Sequence, residues 1–414
     1  MPWTETCAME ERMKFVVECL EGTWSKAELC RIYGISRPTG DKWLTRYAEI
    51  GIEGLADRSR APQHHPNGVS EATEAAVVAL REARTHWGPK KLRVVLAREK
   101  PGRVWPAVST IGEILKRHGL TVPRKRRRRT PPSTQPFASI DGANAVWCVD
   151  HKGWFRTGDG RPCEPLTMTD AWSRYLLRDQ VVADKRSETT RGVMEAAFRE
   201  YGLPWAIRSD NGPPFASRGV AGLSRLSVWW VKLDIVVERI EAGHPEQNGR
   251  HERMHETLKQ ETASPPQATA RKQQEALDRF RWEFNEERPH EALGQRTPAS
   301  VYTPSPRAYP ARLAAAEYPG GWEVRTVQKH GQFNWKRTEV FLGEALYGER
   351  VGLEPLDERY WTVRLVTTTL GVFDTHRHRM LSVKEAARAG VAAESRSGGP
   401  SAALQGLRTG SQIP

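Results

Sequence analysis

Three carboxylates stand in contexts that could do chemistry together. Asp150 closes an apolar run, Ala145-Val-Trp-Cys-Val-Asp150, which reads as a buried strand ending on a charge. Asp210 closes a shorter run, Ala206-Ile-Arg-Ser-Asp210, and the turn dipeptide Asn211-Gly212 follows at once. Glu252 lies in the stretch from His244 to Lys259, which turns helical after Gly249. Two Asp at strand ends and a Glu on a helix make a hard, oxygen-rich site suited to Mg²⁺, with Mn²⁺ able to substitute. Such a site can hold two ions about 3.5–4 Å apart, one activating a nucleophile and one stabilising the leaving oxygen of a phosphodiester. Taken singly, Asp210 is a turn residue and Glu252 a solvated side chain. The order and contexts of all three carry the reading.

The remaining composition bounds what such a site would work on. The chain has 414 residues, enough for two to four domains, and 63 Lys and Arg against 50 acids, a net charge of +13. That excess favours a polyanion, nucleic acid above all. Mean hydropathy is −0.63, no apolar run is long enough for a membrane span, and no secretory leader is visible at Met1. The five cysteines form no Cys-x-x-Cys pair, so neither a zinc knuckle nor a disulfide framework is expected. A reducing cytoplasm, close to the nucleoid, fits best.

Helical signals occupy the first third. A helix is expected over Met9–Leu20 with Met13, Val16, Val17 and Leu20 on its inner face. Ser25-Lys-Ala-Glu28 is a capping box for a second helix, with Leu29 and Tyr33 inward. Gly34 breaks the chain, and Ser36 caps a third helix carrying Trp43, Leu44 and Tyr47. This helix-turn-helix layout, residues 1–60, would offer Arg37, Thr39, Lys42 and Arg46 to a major groove. A second helix-turn-helix-like domain is expected over 69–120, with helices marked by Ala76, Val77 and Leu80, by Gly88-Pro89, and by a Ser109 cap. Residues 121–138 form a linker holding Arg124, Lys125, Arg126, Arg127, Arg128 and Arg129, a run that repels itself and reads as a phosphate contact.

Residues 139–300 alternate strand and helix. Strand one ends near Asp150, and Thr157-Gly-Asp-Gly160 makes a turn. Strands two (about 166–169) and three (about 175–182) meet at Asp170-Ala-Trp-Ser173; a helix leads to strand four at Ala206. A helix near Val220–Val231 and a fifth strand at Ile235–Ile240 precede the glutamate helix. Asp159 and Asp170 sit in apparent turns and read as structural. His151 reads as an ordinary side chain on the other face of its strand. Short β-rich runs between 320 and 385 suggest a small barrel, and 386–414 is Gly-, Ser- and Ala-rich and expected to be disordered.

At this point the chain resembles the DDE transposases of bacterial insertion sequences and the related retroviral integrases. The residues that carry the likeness are Trp147-Cys-Val-Asp150, Ser209-Asp-Asn-Gly212, Pro245-Glu-Gln-Asn-Gly-Arg-His-Glu252, and Arg288-Pro-His290 with Leu293 and Thr297-Pro298. The amino-terminal His/Cys zinc module of retroviral integrases is absent. The resemblance implies a multidomain α/β chain. Its ribonuclease-H-like core would be a mixed five-stranded sheet with strands one and four adjacent, so that Asp150 and Asp210 stand side by side. A small DNA-binding β-barrel would follow. It implies that Asp150, Asp210 and Glu252 are the catalytic metal ligands, and that Lys259, two turns beyond Glu252, touches DNA.

Spacing alone would choose another glutamate, since Glu246 follows Asp210 after 35 residues and Glu252 after 41. In the resembling proteins, however, the metal glutamate comes three residues after the Gly, and a helix holds a ligand better than the loop expected at Glu246. The implied partner is double-stranded DNA, both transposon terminal inverted repeats and target, bound by a homodimer or higher oligomer. The alternatives are a non-enzymatic DNA-binding regulator derived from a transposase, and a plain nuclease.

Overall fold

The computed structural model describes residues 7–59, 68–121, 140–217, 219, 222–240 and 245–391. The run Arg124–Arg129 lies outside the described residues, as do residues 392–414. The chain divides into two compact units, one within Met1–Val69 and one within Ser70–Pro414.

The first unit is three helices, α1 (Ala8–Glu21), α2 (Lys26–Ile32) and α3 (Arg37–Ile50). Ser25 and Ser36 accept from Glu28 N and Thr39 N, which starts α2 and α3 where the sequence places them. Gly34 takes φ +64° in the turn between them. Gly40 of α3 lies so close to Cys30 Sγ and Phe15 that an added Cβ would meet both within 3 Å, so only glycine lets α3 sit this deep. The inner face of α1 differs from the expected one. Phe15 and Val16 are buried, whereas Val17 is 40% and Leu20 67% exposed. Phe15 supplies the ring that fills the space beside Leu29, Cys30 and Trp43.

The second unit opens with α4 (Glu71–Ala83), α5 (Pro89–Glu99) and α6 (Val108–Arg117). Helix α6 begins one residue before Ser109, with Ala107 at its cap and no side-chain cap bond, so the expected serine cap is corrected. Arg84 after α4 pairs with Glu283 and Glu287, and Lys90 with Glu291, so these helices are fastened to the sheet domain.

That domain comprises β1 (Val146–His151), a hairpin of β2 (Phe155–Arg156) and β3 (Pro162–Cys163), then β4 (Pro165–Asp170), β5 (Leu176–Val181), α7 (Ser187–Tyr201), β6 (Ala206–Ser209), α8 (Arg225–Lys232), β7 (Val236–Arg239), α9 (Gly249–Thr262) and α10 (Ala270–Trp282). The sheet order is β5-β4-β1-β6-β7, with β1 antiparallel to β4 and parallel to β6. This is the mixed five-stranded sheet expected, with strands one and four adjacent. Helix α8 is shorter than the expected 220–231 helix and starts at the Ser224 cap. One of its faces, Leu226, Trp229, Trp230 and Leu233, joins Trp147, Phe198 and Ile207 in the main core. Removing a ring such as Trp147 from such a core costs about 3–5 kcal/mol.

In the carboxy-terminal part, where a small β-barrel is expected, the strands form one sheet and one hairpin. The sheet is five-stranded and antiparallel, in the order β14 (Arg379–Leu381), β13 (Thr368–Asp374), β12 (Tyr360–Leu365), β11 (Arg350–Pro355), β8 (Glu323–Thr326), with a separate hairpin of β9 (Gln332–Trp335) and β10 (Thr338–Phe341). Among the described residues no ladder joins the edge strands β14 and β8. Phe333, Trp335 and Val340 of the hairpin cover the open face beside Phe373, and the other face of α8, through Val228 and Val231, enters the same core. The chain also stays ordered past 386: α11 (Val383–Arg388) buries Ala386 fully against Val372 and Leu381.

Candidate active site

Strand β1 runs through the middle of the sheet with Val146 to Val149 buried, and Asp150 emerges at its end. Its parallel register with β6 pairs Cys148 with Arg208; continued two residues, it sets Asp150 alongside Asp210. Asp210 follows the last residue of β6, and its Oδ1 accepts from Gly212 N at 3.1 Å, the local turn that Asn-Gly favours.

Helix α9 lies across β4 and brings the third acid. Glu252 is in its first turn and exposed, and Lys259 is exposed two turns on along the same face. Glu246 lies in a short 3₁₀ turn, Pro245–Asn248, rather than in an open loop; its side chain is outside the described residues.

The electrostatics tie the acids together. The Asp150 carboxyl is pushed up to about 7, first by burial, then by the neighbouring charge of Asp210, with Glu252 adding to it. The His151 backbone N–H and Lys185 oppose the rise. Among the described residues, no three His, Cys, Asp or Glu side chains close on one point as an ion's ligands would. The acids lie within each other's field without forming a ready cage. The donor set itself, carboxylate oxygens at two strand ends and a helix, is one that hard divalent cations take.

Sequence reading missed what holds α9 down. His251 and His255, one turn apart, are buried on its inner face with Met254 and Leu258. Thr167 of β4 sits opposite Asp150 in the antiparallel ladder and donates its proton to the Asp150 carbonyl at 3.1 Å. With that proton spent, His251 Nε2 and His255 Nε2 donate to Thr167 Oγ at 2.7 and 2.6 Å. Thr169 Oγ then donates to His251 Nδ1 at 2.8 Å. Burial holds both rings neutral, at about 3 for His251 and about 2 for His255. His255 Nδ1 is left facing Asp150 Oδ2 at 4.0 Å. A polar i, i+4 pair reads as a solvated face in sequence, and only the threonines opposite reveal it as an inner one.

Other neighbours are also newly placed. Lys152 lies close enough to Lys259 and Asp150 to feel both, and burial followed by the Lys259 charge holds its ammonium below the usual range. His151 is half-buried with its ring against Phe215, and neither of its buried ring nitrogens is hydrogen-bonded among the described residues. Asp170 is fully buried and accepts from Asn144 N, Ser173 N and Ser173 Oγ, which ties the β4–β5 turn to the start of β1. Asp159 accepts from Thr157 Oγ and Arg161 N within its hairpin.

In the first unit, Arg37 and Lys42 are exposed on α3. Thr39 is partly turned in, its hydroxyl against Ser36 at 2.9 Å. Lys42, Arg46 and Arg12 surround the Trp43 ring, at 4.1, 5.2 and 4.0 Å from its centroid.

Residues 141–245 and 233–298 each match an integrase core domain model, residues 11–63 a helix-turn-helix domain and residues 39–115 a homeodomain-like domain. The chain is 26% identical over 250 residues to the insertion element IS407 uncharacterized 31.7 kDa protein of Burkholderia multivorans, which covers 59% of this chain and 87% of that one. It is 24% identical over 321 residues to the insertion element IS476 uncharacterized 39.2 kDa protein of Xanthomonas euvesicatoria, covering 76% and 83%. Among solved structures, the HTLV-2 integrase catalytic core domain in complex with magnesium aligns at 16% identity over 39% of this chain and 98% of that one, with a TM-score of 0.32. The molecule is thus of the polynucleotidyl transferase type, an integrase core carrying helix-turn-helix DNA-binding domains. Within that class, it belongs to the insertion-sequence transposases with a retroviral-integrase-like core.

Proposed function

We propose that this chain binds the terminal repeats of its mobile element and catalyses metal-dependent cleavage at the element's ends and transfer of the 3′-hydroxyl into target DNA. The observation that carries the reading is the placement of the half-buried Asp150 carboxyl at the end of β1, beside Asp210 in the β1–β6 register, where partial burial and then the charges of Asp210 and Glu252 raise it. Clustered like charges disfavour joint ionisation, and perturbed carboxyls of this kind mark working sites. Two Mg²⁺ ions, or Mn²⁺ in their place, held by Asp150, Asp210 and Glu252 would supply Lewis-acid stabilisation of the phosphorane-like charge and a lowered pKa for the attacking oxygen.

The chain's own groups set the rest. Asp150 and Asp210 are fixed by adjoining strands, so their separation is a property of the β1–β6 ladder. Glu252 is fixed by the docking of α9 through His251, His255 and Thr167. Lys152 and Lys259 present positive charge beside the acids, where the DNA backbone would lie. No side chain need act as nucleophile, because water serves for cleavage and a DNA hydroxyl for joining. Arg37, Lys42 and Arg46 on α3 would read the ends, and Arg124–Arg129 would grip phosphates non-specifically. Joining two ends calls for at least two copies of the chain on DNA.

The test is a pair of variants. Glu252→Gln should abolish strand transfer, a loss of ~10²–10³-fold or more, the scale set by removing one charge-stabilising group, while DNA affinity stays within twofold, roughly 0.4 kcal/mol. Glu246→Gln should keep most activity. An inactive Glu246→Gln beside an active Glu252→Gln would overturn the assignment.

A further inference from the structure

A cavity of about 510 Å³ opens at the end of the sheet away from Asp150. Trp172 and Arg174 from the β4–β5 turn, Arg250 from the first turn of α9, and Leu293, Gly294 and Arg296 line it, and no carboxylate is among its lining residues. The positive charge there is concentrated. Arg174 Nη1 and Arg250 Nη1 both donate to a single acceptor, the Ala171 carbonyl, at 2.8 and 3.3 Å, which brings two guanidiniums onto one oxygen. Arg296 spends only its Nε, on Leu293 O at 3.2 Å. None of the three is paired with a carboxylate among the described residues. Asp170, at the end of β4 before the turn, is already taken up by Asn144 and Ser173.

Two further features show that the cluster is held against its own preference. Arg174 takes φ +67°, a left-handed conformation that glycine adopts freely and a long side chain rarely does, so the backbone there is strained. Burial, with Arg250 and Arg253 close by, also holds its guanidinium down to about 10. An indole at 37% exposure stands at the rim, flat apolar surface beside unmatched cations.

We infer that this cavity binds a backbone phosphate of the DNA strand handled by the acid site, between Arg174, Arg250 and Arg296, with the adjoining base against Trp172. Unmatched guanidiniums converging in one cleft recognise phosphate, and an exposed indole beside them offers a stacking platform for a base. The position fits one strand serving both places. On β4, Asp170 pairs with Trp147 and Thr167 pairs with Asp150. The cavity is therefore about 10 Å from Asp150 along the strands at ~3.3 Å per residue. A direct gap of that length spans about two nucleotides of one DNA strand, so the captured phosphate lies about two nucleotides from the one at the carboxylates. This inference rests on the proposed function and adds a site to it.

The experiment measures binding of the full chain to an end-sequence duplex in EDTA, where no chemistry occurs. Arg174→Gly removes the cation and relieves the backbone, so it should melt no lower than the parent chain yet bind roughly tenfold more weakly. Its plot of log K against log salt should be shallower by about 0.9, one phosphate's worth. Arg296→Ala should do the same. A neutral methylphosphonate about two nucleotides from the joining phosphate should weaken the parent chain and leave Arg174→Gly unaffected. Affinity and slope equal to the parent's in both variants would overturn the site while leaving the DNA reading intact, whereas failure of the parent chain to bind DNA would sink the proposed function itself. Should inorganic phosphate or dAMP raise the parent's melting temperature while the variants bind DNA normally, the cavity would be a small-anion site and the DNA assignment would fall.

Discussion

Asp150 carries a pH signature that separates an acid cluster from an ordinary surface carboxyl. Its value is 3.8 unperturbed and about 7 in the fold, so between these pH values the folded chain holds a proton that the unfolded chain has released. Stability from this group is present below pH 3.8 and is lost as pH rises towards 7. Asp150→Asn removes the repelling charge. The metal-free variant should therefore be more stable than the parent at pH 8, by on the order of a few kcal/mol in unfolding free energy, and the gap should close near pH 4. Protonation of His251 and His255 pulls the other way, costing stability as pH falls below 6.5, but both proteins share it and it cancels in the difference. A gap of equal size at every pH would mean that Asp150 is not under the field of its neighbours. Added Mg²⁺ should raise the melting temperature of the parent and much less that of the variant, because ions relieve the repulsion that the substitution has already removed.

At the scale of elements, α9 is the part on which the site turns. Thr167 takes two imidazole donors and gives its proton to Asp150 O, so Thr167→Val keeps the shape and strands three polar groups. Each group left buried without a partner costs about 1–3 kcal/mol. The variant should melt lower and lose strand transfer well beyond its loss of DNA affinity, and Thr167→Ser should restore both. If Thr167→Val joins DNA normally, α9 is positioned by its apolar contacts alone.

This same helix marks where the sequence is legible and where it is not. Asp150 and Asp210 stand at the ends of predicted strands because short apolar runs bounded by turns have few other readings. Their adjacency came from the family likeness, since pairing order leaves no trace in periodicity. His251 and His255 were invisible because polar residues at helical spacing normally face water, and their partners are 84 and 88 residues distant in sequence. The face of α1 was misjudged for a related reason. Val17 and Leu20 fit the period, but the ring of Phe15 fills the space that Gly40 opens. Short strands between 320 and 385 were legible, but how a sheet and a hairpin share them was not, because that lies in edge pairing and not in strand content. The three arginines of the cavity come from a turn, a helix start and a loop, and nothing in their order joins them.

On the scale of the molecule, the boundary near Val69 predicts separable roles. A chain beginning at Ser70 keeps α4–α6 fastened through Arg84 and Lys90, and should retain Mn²⁺-dependent nicking or joining while losing preference for element ends over random DNA. Equal end preference in the full and shortened chains would move recognition out of α1–α3. A chain beginning near 139 should do worse. It would strip the cations from Glu283, Glu287 and Glu291, and its melting temperature should fall below that of the chain from Ser70.

Helix α8 has a bearing on how such a gene decays. One face completes the catalytic core and the other the carboxy-terminal sheet, with Lys232 bound to Glu349 at 2.8 Å across the junction. A frameshifted copy ending before Glu323 would still encode all three acids, but its product would carry Val228 and Val231 bare to water. Such a product should clump or be degraded instead of persisting as a half-working cutter. The shared helix thus ties the integrity of the five-stranded sheet domain to that of the carboxy-terminal sheet, so damage late in the reading frame should be felt in the core that holds the acids.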